Sequence, residues 1–556
     1  VDYSYLNEAL MILFATVSIL VLFLRFGLPP ILGYLAAGLL VGPYGFALIT
    51  DVEHIKTFAE FGVVFLLFTI GLEFSVSLLI RMKGAVLGLG GAQVFVTSAA
   101  TTAVAYYIGI SFESALVLGG VVAMSSTALV TKQLVDQVEL HTRHGRNSLG
   151  ILLFQDMMVV PFLILVATMS GDGIEPSPFT VIIIFAEGLL VLGLIFVLGR
   201  WVLQPLFREV ARFRSAEVFT LTVLLVVLCS SWLTHQIGLT FALGAFLAGV
   251  MLSETEFRHQ VESEIRPFRD VLLGLFFITV GMMLNIRMLP EIWPAVLLVL
   301  VGLMLFKQLL VAALCRVSGW NSAVAMRTGL ILAHGGEFGF AILILAMDGG
   351  LLDTVEGQTM LAAMLFSMAL APLIIRNNGS ITAQLLPGAA SRSRQEIKER
   401  IRNQSRGLNH HVVICGYGRV GQHTAKMLRE EGIRYMAIDL DLDLVGEGAG
   451  REPSVSYGDA GSLELLHACG LARASALVVS MIDFNTAMKI ISRVRVLYRD
   501  LPIIVRTRKE MHLYQLYQVG ATEVVADTFG SDQMLTDEML SRFRLKEPPF
   551  DEEDQA

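Results

Sequence analysis

The chain has 556 residues, of which 54% are hydrophobic and 16% charged, with a formal net charge of −8 and a mean hydropathy of +0.67. So apolar a chain must place most of its length in lipid, and its negative balance excludes nucleic acid as a partner. Four cysteines, Cys229, Cys315, Cys415 and Cys469, lack disulfide or metal-ligand spacing, which suits reducing surroundings.

Apolar runs follow one another to about residue 376 and predict a helical polytopic membrane domain over 1–376. About 13 spans are expected, centred near Phe14, Ala37, Leu67, Val94, Met124, Met157, Leu189, Leu225, Phe246, Phe277, Leu300, Leu332 and Leu365. The first carries Glu8 and has no basic leader or small-residue cleavage site, so it reads as a span and not as a removable signal. Loops after odd-numbered spans hold Arg81, Lys83, Arg143, Arg146, Arg208, Arg212, Arg266 and Arg269. Those after even-numbered spans hold little beyond Lys56 and Arg287. The positive-inside rule then puts the N-terminus outside and the C-terminal part in the cytoplasm.

Two halves of this domain resemble each other. LGYLAAGLLVGP from Leu32 matches LGAFLAGVMLSE from Leu243, and FLLFTIGLEFSVSLL from Phe65 matches LFFITVGMMLNIRML from Leu275. Glycine-rich spans can look alike by chance, but matched spacing (Gly33 and Gly38 against Gly244 and Gly249) over two consecutive spans argues for a repeat. An offset of seven spans inverts the second copy, the pattern of transporters working by alternating access. Span 5 should then pair with span 12. The first holds Ser125, Ser126 and Thr127 midway, the second His334, Gly335, Gly336 and Glu337. Polar or glycine interruptions at matching places predict two broken, crossing helices whose freed carbonyls line a cavity.

Span 6 supplies the chemistry. Asp156 lies amid the apolar stretch from Leu149 to Thr168, beside Gln155. A carboxylate at mid-membrane depth costs about 3 kcal/mol on insertion scales and marks an ion or proton pathway. Asp156, the hydroxyls of span 5 and the freed carbonyls together make a site for a partly dehydrated alkali cation. Proton and cation would compete for the one carboxylate, which couples their opposed movements. Lys307 in span 11 is the natural partner for Asp156, although its stem also has the reach to snorkel to the interface. His334 and Glu337 read equally well as ion-site groups or as structural hydrogen-bonding groups of the break.

Residues 377–409 read as a linker, with Gly/Ser/Pro early and the charged helical stretch SRSRQEIKERIRNQ later. Residues 410–530 predict a Rossmann-like domain, and 531–556 an acidic tail. HVVICGYGRVGQ gives a strand, a GxGxxG turn (Gly416, Tyr417, Gly418, Arg419, Val420, Gly421) and a helix, and the next strand ends at Asp439 and Leu440. In that context the motif predicts a nucleotide with its phosphates on the glycine turn and its ribose on Asp439. Asp459 and Ala460, ending a third strand, are placed to frame an adenine. With no substrate domain after this unit, the nucleotide reads as a sensed or structural ligand, and a membrane-anchored dehydrogenase is disfavoured. The absence of a filter loop of the TVGYG kind disfavours a ligand-gated cation channel. Arg506 and Arg508 follow a late strand and could clamp an anion. Glu262 and Glu264 lie in HQVESEIRPF, read as an acidic cytoplasmic loop between spans 9 and 10.

Taken together, LLFQD, HQVESEIRPF…LGLFF, GGEFGF and GYGRVG resemble the Kef-type potassium efflux systems of the cation:proton antiporter-2 superfamily, over nearly the whole chain. The resemblance implies an antiporter of a bacterial inner membrane and not an enzyme: a homodimer exporting potassium against proton entry. It implies an RCK N-lobe holding AMP or NAD(H), inhibition by glutathione and activation by glutathione adducts. Arg419, Arg506, Arg508 and Phe529 would belong to the glutathione site, and Glu262 and Glu264 to the acidic regulatory loop. No ancillary subunit follows from this chain. Two strings depart from the family. ADTFGSDQML stands where a TFESAL-like string usually completes the glutathione site, and span 3 ends GLEFS where GLELD is usual. A sodium/proton antiporter on the same scaffold is the alternative, because potassium is favoured by resemblance and not by any physical argument about ion size.

Overall fold

The computed structural model describes the chain apart from residues 1–3, 27, 50–52, 74–81, 138, 171–200, 204, 214, 237–240, 254, 442–443, 446–454, 482–483, 508–511 and 527–556. The described residues form two compact units. The first holds residues 1–140 and 144–384, and the second holds 141–143 and 385 onward.

The first unit is helical. Its elements are α1 (Ser4–Arg25), α2 (Pro30–Val41), α3 (Glu53–Glu73), α4 (Gly91–Tyr107, entered through a π-helical stretch, Gly84–Gly90), α5 (Phe112–Ala123), α6 (Thr127–Asp136) and α7 (Arg143–Met169). There follow α8 (Ala216–Gln236), α9 (Phe241–Ser253), α10 (Arg258–Met283), α11 (Leu289–Val317), α12 (Ser322–Ile331), α13 (Glu337–Asp348), α14 (Thr354–Arg376) and α15 (Asn378–Leu385). Among the described residues, six helical stretches are long and apolar enough to cross a membrane, the α5–α6 pair counting as one, and four shorter ones are apolar throughout. Every expected span centre falls on one of these helices or on a break between two, except Leu189, which lies outside the described residues.

Glycines set the packing. A Cβ on Gly38 would stand 1.9 Å from the Ile278 carbonyl oxygen, and one on Gly281 would stand 2.2 Å from that of Leu35, so α2 and α10 touch backbone to backbone. Between α3 and α9 the same happens, with Gly249 2.0 Å from the Phe68 oxygen and Gly71 2.2 Å from that of Phe246. In the aligned strings Gly38 corresponds to Gly249, Gly71 to Gly281, Phe68 to Ile278 and Leu35 to Phe246. Each contact therefore maps onto the other when the copies are exchanged, which is what a two-fold relation between repeats requires. The relation continues outward: Gly119 of α5 abuts the Ser98 oxygen of α4, and Gly329 of α12 abuts the Gln308 oxygen of α11.

Both interrupted helices are present. Ser126 caps α6 with its hydroxyl accepting from the Leu129 N–H, while α13 starts from Gly336 in extended backbone. In the register that matches Gly71 with Gly281, Met124 falls on His334 and Thr127 on Glu337. One expectation is corrected. HQVESEIRPF is not a loop but the first turns of α10, held by Val261 and Ile265, which are spaced one turn apart and buried against Phe207 and Phe219. Pro267 is accommodated inside this helix, where its ring faces outward.

A polar knot closes one end of the unit. Glu139, in the loop after α6, accepts from Arg327 of α12 at 2.5 Å and from Asn378 of α15 at 3.2 Å, and pairs with His144 of α7 at 3.0 Å. Burial pushes this carboxyl up, but the His144 hydrogen bond and the Arg327 charge outweigh it and bring it down to about 2.

The second unit begins with α16 (Pro387–Gln404), whose Ile401 enters its core. Then come β1 (His411–Cys415), α17 (Arg419–Glu430), β2 (Tyr435–Asp439), β3 (Val455–Tyr457), α18 (Leu463–Ala468), β4 (Ala474–Val479), α19 (Phe484–Leu497), β5 (Ile503–Thr507), α20 (Leu513–Val519) and β6 (Glu523–Ala526). All pairings are parallel, in the order β3-β2-β1-β4-β5-β6. Two of the central strands, β1 (HVVIC) and β5 (IIVRT), are buried along their whole length, as a sheet covered on both faces requires. Strand order reverses between β1 and β4, so the ligand crevice of such a sheet opens at their C-terminal ends.

Candidate functional site

In the helical unit, chemistry concentrates where the two breaks meet α7. Asp156 is 8% exposed. Its carboxylate accepts from the Thr127 hydroxyl at 2.9 Å and 3.2 Å, at the first turn of α6. That turn presents the positive end of the helix dipole, which is favourable to an anion.

Lys307, fully buried, does not take up the expected pairing with Asp156 in its hydrogen bonds. Its Nζ donates to Met124 O at 2.6 Å, Ser125 Oγ at 2.9 Å and His334 O at 2.8 Å. Ser125 in turn donates to Leu332 O, so all three neighbours accept, as the three N–H groups of an ammonium require. Met124 and His334 are the matching residues of the two repeats, and they carry the negative ends of α5 and α12. Lys307 therefore ties the two C-terminal ends together.

Glu337 does the converse. It is 4% exposed. Its Oε1 accepts from the Ala128 N–H at 3.3 Å, and the Ser126 hydroxyl and Thr127 N–H also face it. Being the first residue of α13, it places its carboxylate at the positive ends of α6 and α13 together. One cation thus serves the two helix C-termini and one anion the two N-termini. Asp156 meets the same first turn of α6 through the Thr127 hydroxyl.

The freed carbonyls expected to hold a cation are largely occupied by Lys307 and Ser125. Gln155 is likewise committed: its Oε1 takes the Ser125 N–H at 2.8 Å and its Nε2 donates to Gln93 Oε1 at 2.7 Å. His334 turns Nδ1 toward Gly335 O at 2.7 Å, while its Nε2 is buried without a hydrogen-bond partner. Beside the Asp156 carboxylate stands the Thr127 hydroxyl. Gln93 was missed by sequence reasoning. Its signal was an amide in the string GLGGAQVFVT, at the start of an otherwise apolar span.

Glu262 and Glu264 stand apart from this site, on the first turns of α10. Glu264 accepts from the Thr220 hydroxyl of α8 at 2.8 Å, and Glu262 lies 3.9 Å from His259.

In the second unit the glycine turn follows β1. Gly416 has φ +100°, open only to glycine without strain, and a Cβ on Gly421 would stand 2.2 Å from the Gly416 oxygen. At Gly418 a Cβ would meet nothing, so this is the open place where a phosphate can approach backbone. Tyr417 and Val420 are buried and Arg419 is exposed at the first helical position. Asp439, at the end of β2 beside Leu440, accepts from the N–H groups of Tyr417 and of Asp441, the latter at 2.7 Å. Asp459 accepts from Gly461 N at 2.7 Å and Ala460 is buried, which fixes the third strand end. These residues fit a nucleotide. Arg506 is buried on β5, whereas Arg508 and Phe529 lie outside the described residues.

Comparison with known proteins follows the same division. Residues 11–377 match the sodium/hydrogen exchanger transmembrane family, and residues 412–527 match the TrkA-N domain. A K(+) efflux antiporter KefB by name, from Alkalimonas amylolytica, is 41% identical over 538 residues, covering 96% of this chain and 81% of that protein. The chloroplastic K(+) efflux antiporter 1 of Arabidopsis thaliana is 38% identical over 548 residues, 97% of this chain but 46% of that protein. The chain thus spans less than half the length of the plant relative. Among solved structures, the sodium proton antiporter MjNhaP1 of Methanocaldococcus jannaschii aligns with a TM-score of 0.52 at 16% identity, over 68% of this chain and 98% of that one. That likeness speaks to fold alone.

Proposed function

The chain belongs to the sodium/hydrogen exchanger family, in its Kef-type branch with a C-terminal TrkA-N domain, and from that premise we propose that it exchanges potassium for protons across a membrane. The observation that carries this reading is Asp156. It is a buried carboxylate at a helix N-terminus in a crossing whose other two charges, Lys307 and Glu337, are held by the broken helices. A proton and a potassium ion take turns on it, with the Thr127 hydroxyl as fellow ligand, and the two-fold related repeats offer the site to each side in turn. One carboxylate sets one proton against one monovalent cation, so the exchange is electroneutral. Potassium leaves a bacterial cytoplasm across the inner membrane as protons enter, and the chain works as a homodimer.

The second unit regulates. AMP or NAD(H) lies on Gly416, Gly418 and Gly421 with its ribose at Asp439. Glutathione and its adducts act through Arg419, Arg506 and Arg508, together with Phe529, with Glu262 and Glu264 as regulatory acids. The names of the relatives support potassium as the substrate, and the open approach at Gly418 supports the nucleotide. The test is proton flux in proteoliposomes under an imposed potassium or sodium gradient, with and without glutathione. Potassium-driven flux that Asp156→Asn abolishes is the expected result. Flux driven only by sodium overturns the substrate, and retained coupling in Asp156→Asn overturns the mechanism.

A further inference from the structure

We propose that Gln93 is a positioning residue for the cation site, acting through an amide relay that fixes Gln155 and, through the Ser125 N–H, the segment whose Thr127 addresses Asp156. The proposal rests on the reading of Asp156 given above.

The direction of the relay follows from one fixed group. Ser125 N–H can only donate, so the Gln155 atom facing it at 2.8 Å is the oxygen. Gln155 Nε2 must then donate, and its acceptor is Gln93 Oε1 at 2.7 Å. Gln93 Nε2 is left to donate in turn, and it faces Ala123 O and Thr97 Oγ1, each at 3.1 Å. The chain is closed at both ends by backbone groups of the first break: Ser125 beyond it and Ala123, the last residue of α5, before it. Gln93 is fully buried, so water cannot substitute for either bond.

Local packing makes room for this. A Cβ on Gly90 would stand 2.5 Å from the Phe154 Cβ, and one on Gly150 would stand 2.5 Å from the Ala85 Cβ, so the start of α4 lies directly on α7. The π-helical turns of Gly84–Gly90 end three residues before Gln93. Such widened turns break the ordinary helical register, and they recur at functional sites. Gln155 holds the Ser125 N–H two residues before Thr127, so an amide freed to rotate releases the segment whose hydroxyl addresses Asp156.

The experiment compares wild type with Gln93→Leu, Gln93→Glu and Asp156→Asn in proteoliposomes. It measures the potassium dependence of proton flux and the stabilisation of detergent-solubilised protein by potassium. Gln93→Leu should raise the half-saturating potassium concentration about fivefold or more, with the maximal rate kept within about twofold. Gln93→Glu is isosteric and keeps the acceptor for Gln155, so it should lie between Leu and wild type. Should the Leu protein not fold, Gln93→Asn, too short to reach both partners, should show the same rise. An unchanged half-saturation in these variants, with or without a lower maximal rate, overturns the proposal. Asp156→Asn separates the two levels. If it keeps potassium-dependent flux and stabilisation, the reading of Asp156 fails. If it loses both while Gln93→Leu has wild-type half-saturation, only the relay fails.

Discussion

At the scale of residues, three charges meet at the crossing and play three roles. Lys307 is held by Met124 O, Ser125 Oγ and His334 O, and Glu337 by the first turn of α6. Replacing Lys307 with Met leaves two carbonyls and a hydroxyl buried without their donor, at about 1–3 kcal/mol for each such group. Thermal unfolding in detergent should show a loss of at least 2 kcal/mol, whereas Asp156→Asn, whose bond from Thr127 survives, should leave the unfolding temperature within a few degrees of wild type. Asp156 itself was legible in the sequence, because a lone acid in an apolar span has few structural explanations. The partner of Lys307 was not. Its hydrogen bonds reach residues 183 and 182 positions away on one side and 27 on the other, and span-by-span reading cannot rank a carbonyl against a carboxylate as the acceptor.

Elements are joined by backbone contact at glycines and by the knot around Glu139. Gly249→Val would set side-chain atoms against the Phe68 oxygen, already 2.0 Å from a bare Cβ. It should cost about 1–3 kcal/mol or prevent folding, as should Gly38→Val at the equivalent place, and both are read from yield of folded protein. Glu139, brought down to about 2 from an ordinary 4.5, contributes stability that is full above pH 4.5 and lost as pH falls through about 2. The difference in unfolding temperature between wild type and Glu139→Gln should therefore be largest near neutral pH and shrink below pH 4. The glycine repeat was readable as a spacing, but its meaning, Gly38 on Ile278 and Gly249 on Phe68, needed coordinates. The start of α10 was misread because Pro267 and two acids, Glu262 and Glu264, suggest a loop, while Val261 and Ile265, one turn apart, anchor a helix.

For the whole molecule, a helical exchanger unit is followed by a Rossmann-like TrkA-N fold, and both were legible: the first from hydropathy, the second from a GxGxxG turn in strand–helix context with Asp439 after it. Within the second unit, burial pushes the Cys469 thiol up to about 12 and that of Cys415 well above its ordinary range. Both thiols are buried and held protonated, so maleimide should label neither cysteine until the domain unfolds, and electrophile sensing by direct alkylation of this domain is not expected. The central claim is that Asp156 alone exchanges its charge, and it is tested most directly by potassium-driven proton flux through Asp156→Asn in proteoliposomes beside wild type. The account predicts robust coupled flux in wild type and none in the variant, with both proteins folded. Coupled flux of comparable rate in the folded variant would contradict it, and would assign the exchangeable proton to Glu337 or Lys307 instead.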